Sequence, residues 1–85
     1  MPIILCNINL FDANQKIYVF KEEQEEYSEV PMHLLDRALI MACYREKIYD
    51  IHLFGLDKVV NELKDNINKK ENLLFSQNKI KVEVN

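Results

Sequence analysis

Glycine is almost missing from this chain of 85 residues: it contains one glycine, Gly55, with two prolines and no tryptophan. Loops that hold phosphate groups need glycines where the backbone comes close to the ligand. A single glycine cannot build a Walker loop or a dinucleotide-binding loop, so both classes are excluded. The short length leaves room for one hydrophobic core, and we therefore predict a single domain over residues 1–85.

An excess of basic residues is also missing. Eleven Lys and Arg residues stand against fourteen Asp and Glu residues, which gives a net charge of −3. Nucleic-acid-binding domains usually carry a basic excess that displaces counterions from phosphates, so this balance disfavours DNA or RNA as a partner. No apolar run approaches the roughly 20 residues of a membrane-spanning helix. We therefore predict no membrane partner.

The two cysteines, Cys6 and Cys43, lie in apolar runs and form no CxxC motif. This context predicts buried free thiols in a reducing compartment. The opening residues MPIILCNINLF have no basic region, and polar Asn7 and Asn9 interrupt the apolar run, so they do not match a signal peptide. Together these features predict a cytoplasmic protein.

The first half of the chain predicts strands. Residues 3–11 are rich in β-branched and apolar side chains, and residues 16–20 read as an antiparallel partner after the turn residues Asp12, Ala13 and Asn14. The charged run that follows, residues 21–30, predicts either a solvated loop or a short charged edge strand around Glu26 to Val30.

The second half alternates helices and strands. Apolar residues at helical spacing predict a helix over residues 32–47, covered on more than one side. Residues 49–54 predict a short buried strand closed by Gly55, and a second amphipathic helix runs from Leu56 to Ile67. We expect residues 73–75 to dock on the core and residues 80–84 to form a half-exposed strand.

The predicted order is therefore β-β-(β)-α-β-α-β, which indicates a two-layer α+β fold with a mixed sheet of four to five strands. This order resembles the ribonuclease-H-like core that is shared with half of an actin-type ATPase domain, and the likeness covers nearly the whole chain. If the strand order follows that family, both helices lie on one face of the sheet. Without the third strand, a ferredoxin-like or other two-layer sheet fits the same elements.

The resemblance implies catalytic groups that this chain lacks. A ribonuclease-H-like nuclease holds two metal ions with carboxylates, one of them on the first strand, where this chain has Asn7 and Asn9. Asp12, Asp36 and Asp50 are scattered over different elements. The actin-type family needs a glycine in the first hairpin, where this chain reads FDANQ.

Nucleophilic catalysis has no better basis. Cys43 lies on the buried helical stripe, His33 lies at a helix start, and His52 alternates with apolar neighbours in a strand. Neither Ser28 nor Ser76 has a motif around it. We therefore predict that the protein is not an enzyme, and we assign no catalytic residue, cofactor-binding residue or metal ligand.

Strand alternation leaves one face of the sheet without a helix to cover it. Seven residues turn toward that face: Ile3, Leu5, Phe11, Tyr18, Phe20, His52 and Phe54. Exposed apolar patches of this kind usually mark interaction surfaces. We assign five of them as interaction residues: Leu5, Phe11, Tyr18, Phe20 and Phe54. The alternative is that residues 21–30 or residues 73–75 fold over the face.

These features predict a small non-catalytic accessory protein that acts through a protein partner or through homo-oligomerisation. An acidic run would influence the choice of partner: Glu22, Glu23, Glu25, Glu26 and Glu29. The alternative function is a nucleic-acid or small-nucleotide binding module whose aromatic residues stack on bases. Asn, Ile and Lys each occur nine times, which is typical of AT-rich phage or bacterial genomes.

Overall fold

A computed structural model describes residues 1–75 and 79–85, without the side chains of residues 74 and 75. Its five strands and two helices follow the predicted order, and a short 3-10 helix, Met32–Leu34, precedes the first α-helix. The strands are β1 (Ile3–Asn7), β2 (Asn14–Lys21), β3 (Gln24–Pro31), β4 (Asp50–Phe54) and β5 (Lys81–Val84). The α-helices are α1 (Leu35–Glu46) and α2 (Asp57–Phe75).

The strands form one mixed sheet in the order β3-β2-β1-β4-β5. The first three strands pair antiparallel, while β4 pairs parallel with β1 and with β5. The charged run of residues 21–30 therefore contributes the edge strand β3, and the prediction of a third strand is confirmed. Charged side chains suit this position because they discourage an edge strand from pairing with another chain.

The core lies between the two helices and one face of the sheet. Alternate residues of the strands point into it, and the buried set includes Ile4, Cys6, Ile17, Val19, Ile51, Leu53 and Val82. The helices supply Leu35, Leu39, Ile40, Cys43, Val60, Leu63 and Ile67 to the same cluster. Both helices therefore pack on one face, and the two-layer α+β prediction is confirmed.

The first predicted strand is too long. It ends at Asn7 because its backbone pairing with β2 stops there, and the Ile8 N–H donates to the Phe54 carbonyl at 2.7 Å. Beyond it the backbone bonds side chains: the Asn9 N–H donates to Oε1 of Gln15 at 2.7 Å, and the Phe11 N–H donates to Oδ1 of Asn9 at 2.9 Å. Phe11 consequently lies in the turn between β1 and β2, where it is 98% exposed. Its predicted place on the sheet face was wrong.

The helices also differ from their predicted limits. The α-helical part of the first one begins at Leu35 and ends at Glu46, where Lys47 takes a left-handed conformation with φ 58°. Met41 is 59% exposed, so the side of α1 that carries it is not covered. The second helix continues to Phe75, and Leu73 is 83% exposed within it. Leu73 therefore does not dock on the core; the side chains of residues 74 and 75 lie outside the described part.

Candidate functional site

The face of the sheet that points away from the helices is the candidate site, and we call it the open face. Strand register brings a set of apolar side chains together at its centre: Ile3, Leu5, Tyr18, Phe20, Tyr27 and Phe54. Charged side chains surround them: Lys16, Glu25, Glu29, Asp50, Lys81 and Glu83. Among residues 1–75 and 79–85, no helix or strand packs over this face, because every core residue of α1 and α2 belongs to the cluster on the opposite side.

Three aromatic rings form a continuous row across β2 and β3. The ring centroids of Tyr18 and Phe20 lie 6.2 Å apart at an interplanar angle of 21°, and those of Tyr18 and Tyr27 lie 5.9 Å apart at 36°. Offset contacts of this kind hold rings in fixed orientations. Lys16 adds a cation above the Tyr27 ring, with its Nζ 5.6 Å from the centroid. The row is an ordered apolar surface with a positive charge at one end.

The structure brings four of the five predicted interaction residues together. Leu5 and Tyr18 are directly paired neighbours, Phe20 lies one row away on the same side, and Phe54 extends the patch onto β4. All four are half-buried. The fifth, Phe11, projects from the turn and is separate from the patch.

Tyr27 was missed because it lies in the charged run, yet at 62% it is more exposed than the other aromatic residues of the open face. Its position follows from the tight turn at Glu22 and Glu23, which sets Tyr27 directly opposite Tyr18. If a two-residue turn had been predicted between β2 and β3, the length of that turn would have predicted the pairing of Tyr27 with Tyr18.

A charged cluster lies at the β4–β5 side of the open face. Nε2 of His52 is 3.2 Å from Oδ1 of Asp50, and Nδ1 of His52 is 3.4 Å from Oε2 of Glu83. Lys81 Nζ lies 3.0 Å from the other oxygen of Glu83. The hydrogen bond between Lys81 and Glu83 raises the pKa of the amine and lowers the pKa of the carboxyl group.

The sequence alone did not predict this cluster, and no metal ligand was assigned from it. Two spacings in the sequence indicate it. Asp50-x-His52 places two side chains on one face of β4, and Lys81-x-Glu83 does the same on β5. The parallel register that joins the two pairs, with His52 opposite Glu83, is set by the sheet.

The groups weighed for catalysis are held in other roles. Cys6 and Cys43 are fully buried, and burial raises the pKa of each thiol to about 12, so neither is a thiolate near neutral pH. Oδ2 of Asp12 accepts a hydrogen bond from Asn9 in the first turn, and Asp36 forms an ion pair of 2.6 Å with Lys70. Asp12, Asp36 and Asp50 therefore contact different residues in the described part of the chain and do not share one cluster.

The comparisons with known proteins do not extend this description: no family model matches the sequence, and no curated protein or solved structure is similar enough to count as a match. None of the described helices combines the length and apolar character needed to cross a membrane. The resemblance to a ribonuclease-H-like core stays a prediction.

Proposed function

We propose that this chain is a non-catalytic interaction module of the bacterial or phage-infected cytoplasm, whose open face binds the open face of a second copy. The observation that carries the proposal is the ordered aromatic row Tyr27, Tyr18 and Phe20, continued by apolar side chains of β1 and β4. A patch of this kind is usually buried in a complex. Two sheets stacked face to face bury such patches with their side chains interdigitated.

The charges around the patch favour one symmetric arrangement. A line of paired residues crosses the centre of the open face from β3 to β5: Tyr27, Tyr18, Leu5, His52 and Glu83. The next line of paired residues on this face has Glu25 at its β3 end and Lys81 at its β5 end. A two-fold axis parallel to β1 and passing beside Leu5 would place the β3 side of each copy over the β5 side of the other.

In that arrangement opposite charges meet. Glu25 of each copy lies over Lys81 of the second copy, and Tyr18 lies over His52. The angle of about 30° between stacked sheets shifts these flanks by a few ångströms, which long side chains span. A two-fold axis across the strands would instead place β3 over β3 and bring Glu25 and Glu29 against each other. Like charges at an interface are unfavourable, so the first arrangement is the one we propose.

Analytical ultracentrifugation tests the proposal. We expect the parent to sediment with about twice the 10.1 kDa mass of one chain, and the monomer–dimer equilibrium to depend on concentration. Leu5→Glu puts two carboxylates beside the axis and should give a monomer with an unchanged circular dichroism spectrum. A parent that is monomeric at every concentration up to millimolar would contradict the proposal.

Charge reversal gives a sharper test of the arrangement. Glu25→Lys and Lys81→Glu should each weaken the dimer by about tenfold or more, because each places like charges opposite one another. An equimolar mixture of the two variants should restore association, since the mixed dimer has opposite charges at both contacts. Lys58→Glu, an exposed reversal on α2, is the matched control and should leave the dimer unchanged. Failure of the mixture to associate would exclude this arrangement.

The aromatic row and Lys16 also favour a second candidate, a nucleic-acid or nucleotide binder in which Tyr18, Phe20 and Tyr27 stack on bases. The other charges of the open face oppose it, because four carboxylates stand against Lys16 and Lys81: Glu25, Glu29, Asp50 and Glu83. Fluorescence anisotropy with a labelled single-stranded oligonucleotide at low salt separates the two. We expect no binding; saturable binding that Tyr18→Ala and Tyr27→Ala abolish would replace the dimer proposal.

A further inference from the structure

We infer that Asp50, His52 and Glu83 form a binding site for a divalent transition-metal ion of the Zn²⁺ class. All three side chains come from one copy of the chain, so the donor set is complete without a second copy, although the proposed dimer would place Tyr18 of the second copy over His52.

The sheet brings the three side chains together on its open face. Asp50 and His52 are two residues apart on β4 and therefore point to the same side, and Glu83 lies directly across from His52 on β5. Backbone hydrogen bonds brace the two strands at both ends: the Lys81 N–H donates to the Tyr49 carbonyl at 2.8 Å, and the Asn85 N–H donates to the Leu53 carbonyl at 2.9 Å. The spacing of the three groups is therefore set by paired backbone, which is more rigid than a loop.

The donor types and distances suit such an ion. Each side chain offers one ligand atom, and the three atoms all lie within 4.8 Å of one another. Bonds of about 2.0–2.2 Å to imidazole nitrogen and carboxylate oxygen put neighbouring ligands of a tetrahedral ion about 3.3–3.6 Å apart. Oδ1 of Asp50 and Nε2 of His52 are already 3.2 Å apart. Oε2 of Glu83 lies 3.4 Å from the other ring nitrogen, Nδ1, so Glu83 joins the same ion when its side chain turns toward Nε2. Water would complete the coordination.

A second observation points to a ligand at this place. Oδ1 of Asp50 and Nε2 of His52 are both shielded from solvent, and apart from their mutual contact at 3.2 Å neither has a hydrogen-bond partner within the described part of the chain. Shielded polar atoms without hydrogen bonds are unfavourable and call for an explanation. A cation between them would satisfy both atoms at once.

Lys81 is the competitor for this site. Its Nζ lies 3.0 Å from Oε1 of Glu83, which leaves Oε2 facing the imidazole ring of His52. Removal of the Lys81 charge should therefore strengthen metal binding, whereas loss of a ligand should weaken it. These opposite effects distinguish a metal site from a cluster of charged groups.

Calorimetric titration of the chelator-treated full chain with Zn²⁺ tests the inference. We expect one ion per chain, a loss of affinity of about tenfold or more in His52→Ala, and a smaller loss in Glu83→Gln. Lys81→Met should bind more tightly than the parent. His33→Ala, which removes the other imidazole, is the matched control and should bind like the parent. Absence of saturable binding below millimolar Zn²⁺ would overturn the inference, and so would an equal loss in His33→Ala.

Nuclear magnetic resonance of the parent provides a readout that needs no variant. Zn²⁺ should shift the imidazole nitrogen resonances of His52 and leave those of His33 unchanged. Shifts confined to His33, or shared equally by the two rings, would place the ion elsewhere. Failure of this site leaves the dimer proposal intact, because the sedimentation experiments are performed without metal.

Discussion

The side chain of Gln15 binds the backbone of Asn9 from both directions. Nε2 of Gln15 donates to the Asn9 carbonyl at 2.7 Å, and Oε1 accepts from the Asn9 N–H at 2.7 Å. The same Nε2 also donates to the Asp12 carbonyl at 3.1 Å. The buried side-chain amide of Gln15 thus hydrogen-bonds backbone groups that follow the end of β1, and these bonds shape the turn that contains Phe11.

Replacement of Gln15 should therefore destabilise the fold. Gln15→Leu keeps a similar volume but removes the partners of three backbone groups, so we expect the free energy of unfolding to fall by about 2 kcal/mol. Urea denaturation measures the change. Gln24→Leu, the same substitution at an exposed position of β3, should change stability by less than about 0.5 kcal/mol. Equal effects of the two substitutions would show that the turn hydrogen bonds contribute little.

Gly55 should not tolerate a side chain. Its φ of +152° lies in a region that L-residues rarely adopt, and an added Cβ would lie 3.2 Å from Cβ of Ile8 and 3.4 Å from Cγ1 of Val60. Gly55→Ala should cost about 1–3 kcal/mol of unfolding free energy through backbone strain and crowding. Thermal unfolding checks this, with Ser28→Ala on the exposed edge strand as control. A melting temperature equal to that of the parent would contradict it.

Glu71 should be required as a hydrogen-bond acceptor. Its side chain is fully buried, and Oε1 accepts from the Ile80 N–H at 3.1 Å. Burial and the nearby Glu71 carboxylate raise the pKa of the Tyr44 hydroxyl. We expect Glu71→Leu to cost about 2–3 kcal/mol, because the Ile80 N–H loses its charged acceptor inside the protein. Glu71→Gln keeps one carbonyl oxygen and should cost less.

Chemical denaturation of the two variants measures the order of these effects. Glu62→Leu, the same substitution at an exposed position of α2, is the control and should have little effect. If Glu71→Gln proved as damaging as Glu71→Leu, the negative charge would matter more than the acceptor.

Stability should fall at high pH because of the two buried thiols. Burial raises the pKa of Cys6 and Cys43 from 9.0 to about 12, so the folded state keeps protons that the unfolded state loses. The stabilisation is complete below pH 9 and is lost as the pH rises toward 12, by about 1.4 kcal/mol per pH unit for each thiol. Urea denaturation from pH 7 to 11 measures the slope. Cys6→Ala/Cys43→Ala should lose less stability over this range; equal slopes would contradict the assignment.

Helices and central strands were predictable because their signals are local. The apolar spacing of Leu35, Leu39 and Cys43 marks the buried side of α1, and the alternation of Ile51 and Leu53 marks β4. The limits were less accurate. The first strand was extended to Phe11, since its apolar composition does not reveal that Gln15 intercepts the backbone at Asn9.

The candidate site was predictable only in part. Leu5, Tyr18 and Phe20 lie in strongly patterned strands, so alternation alone assigns their face. Tyr27 is embedded among glutamates, and its place beside Tyr18 depends on pairing across a turn. Asp50, His52 and Glu83 come from strands separated by all of α2, so their meeting depends on which strands are neighbours.

The linear order of the residues was sufficient for the kinds of element, the sides that face the core, and the lack of glycine-rich phosphate loops, because each depends on neighbours within a few positions. The order of the strands, the row of aromatic rings and the three donor atoms around His52 required the folded sheet. Side chains far apart in the chain meet only through strand pairing, and periodicity within one strand carries no information about its neighbours.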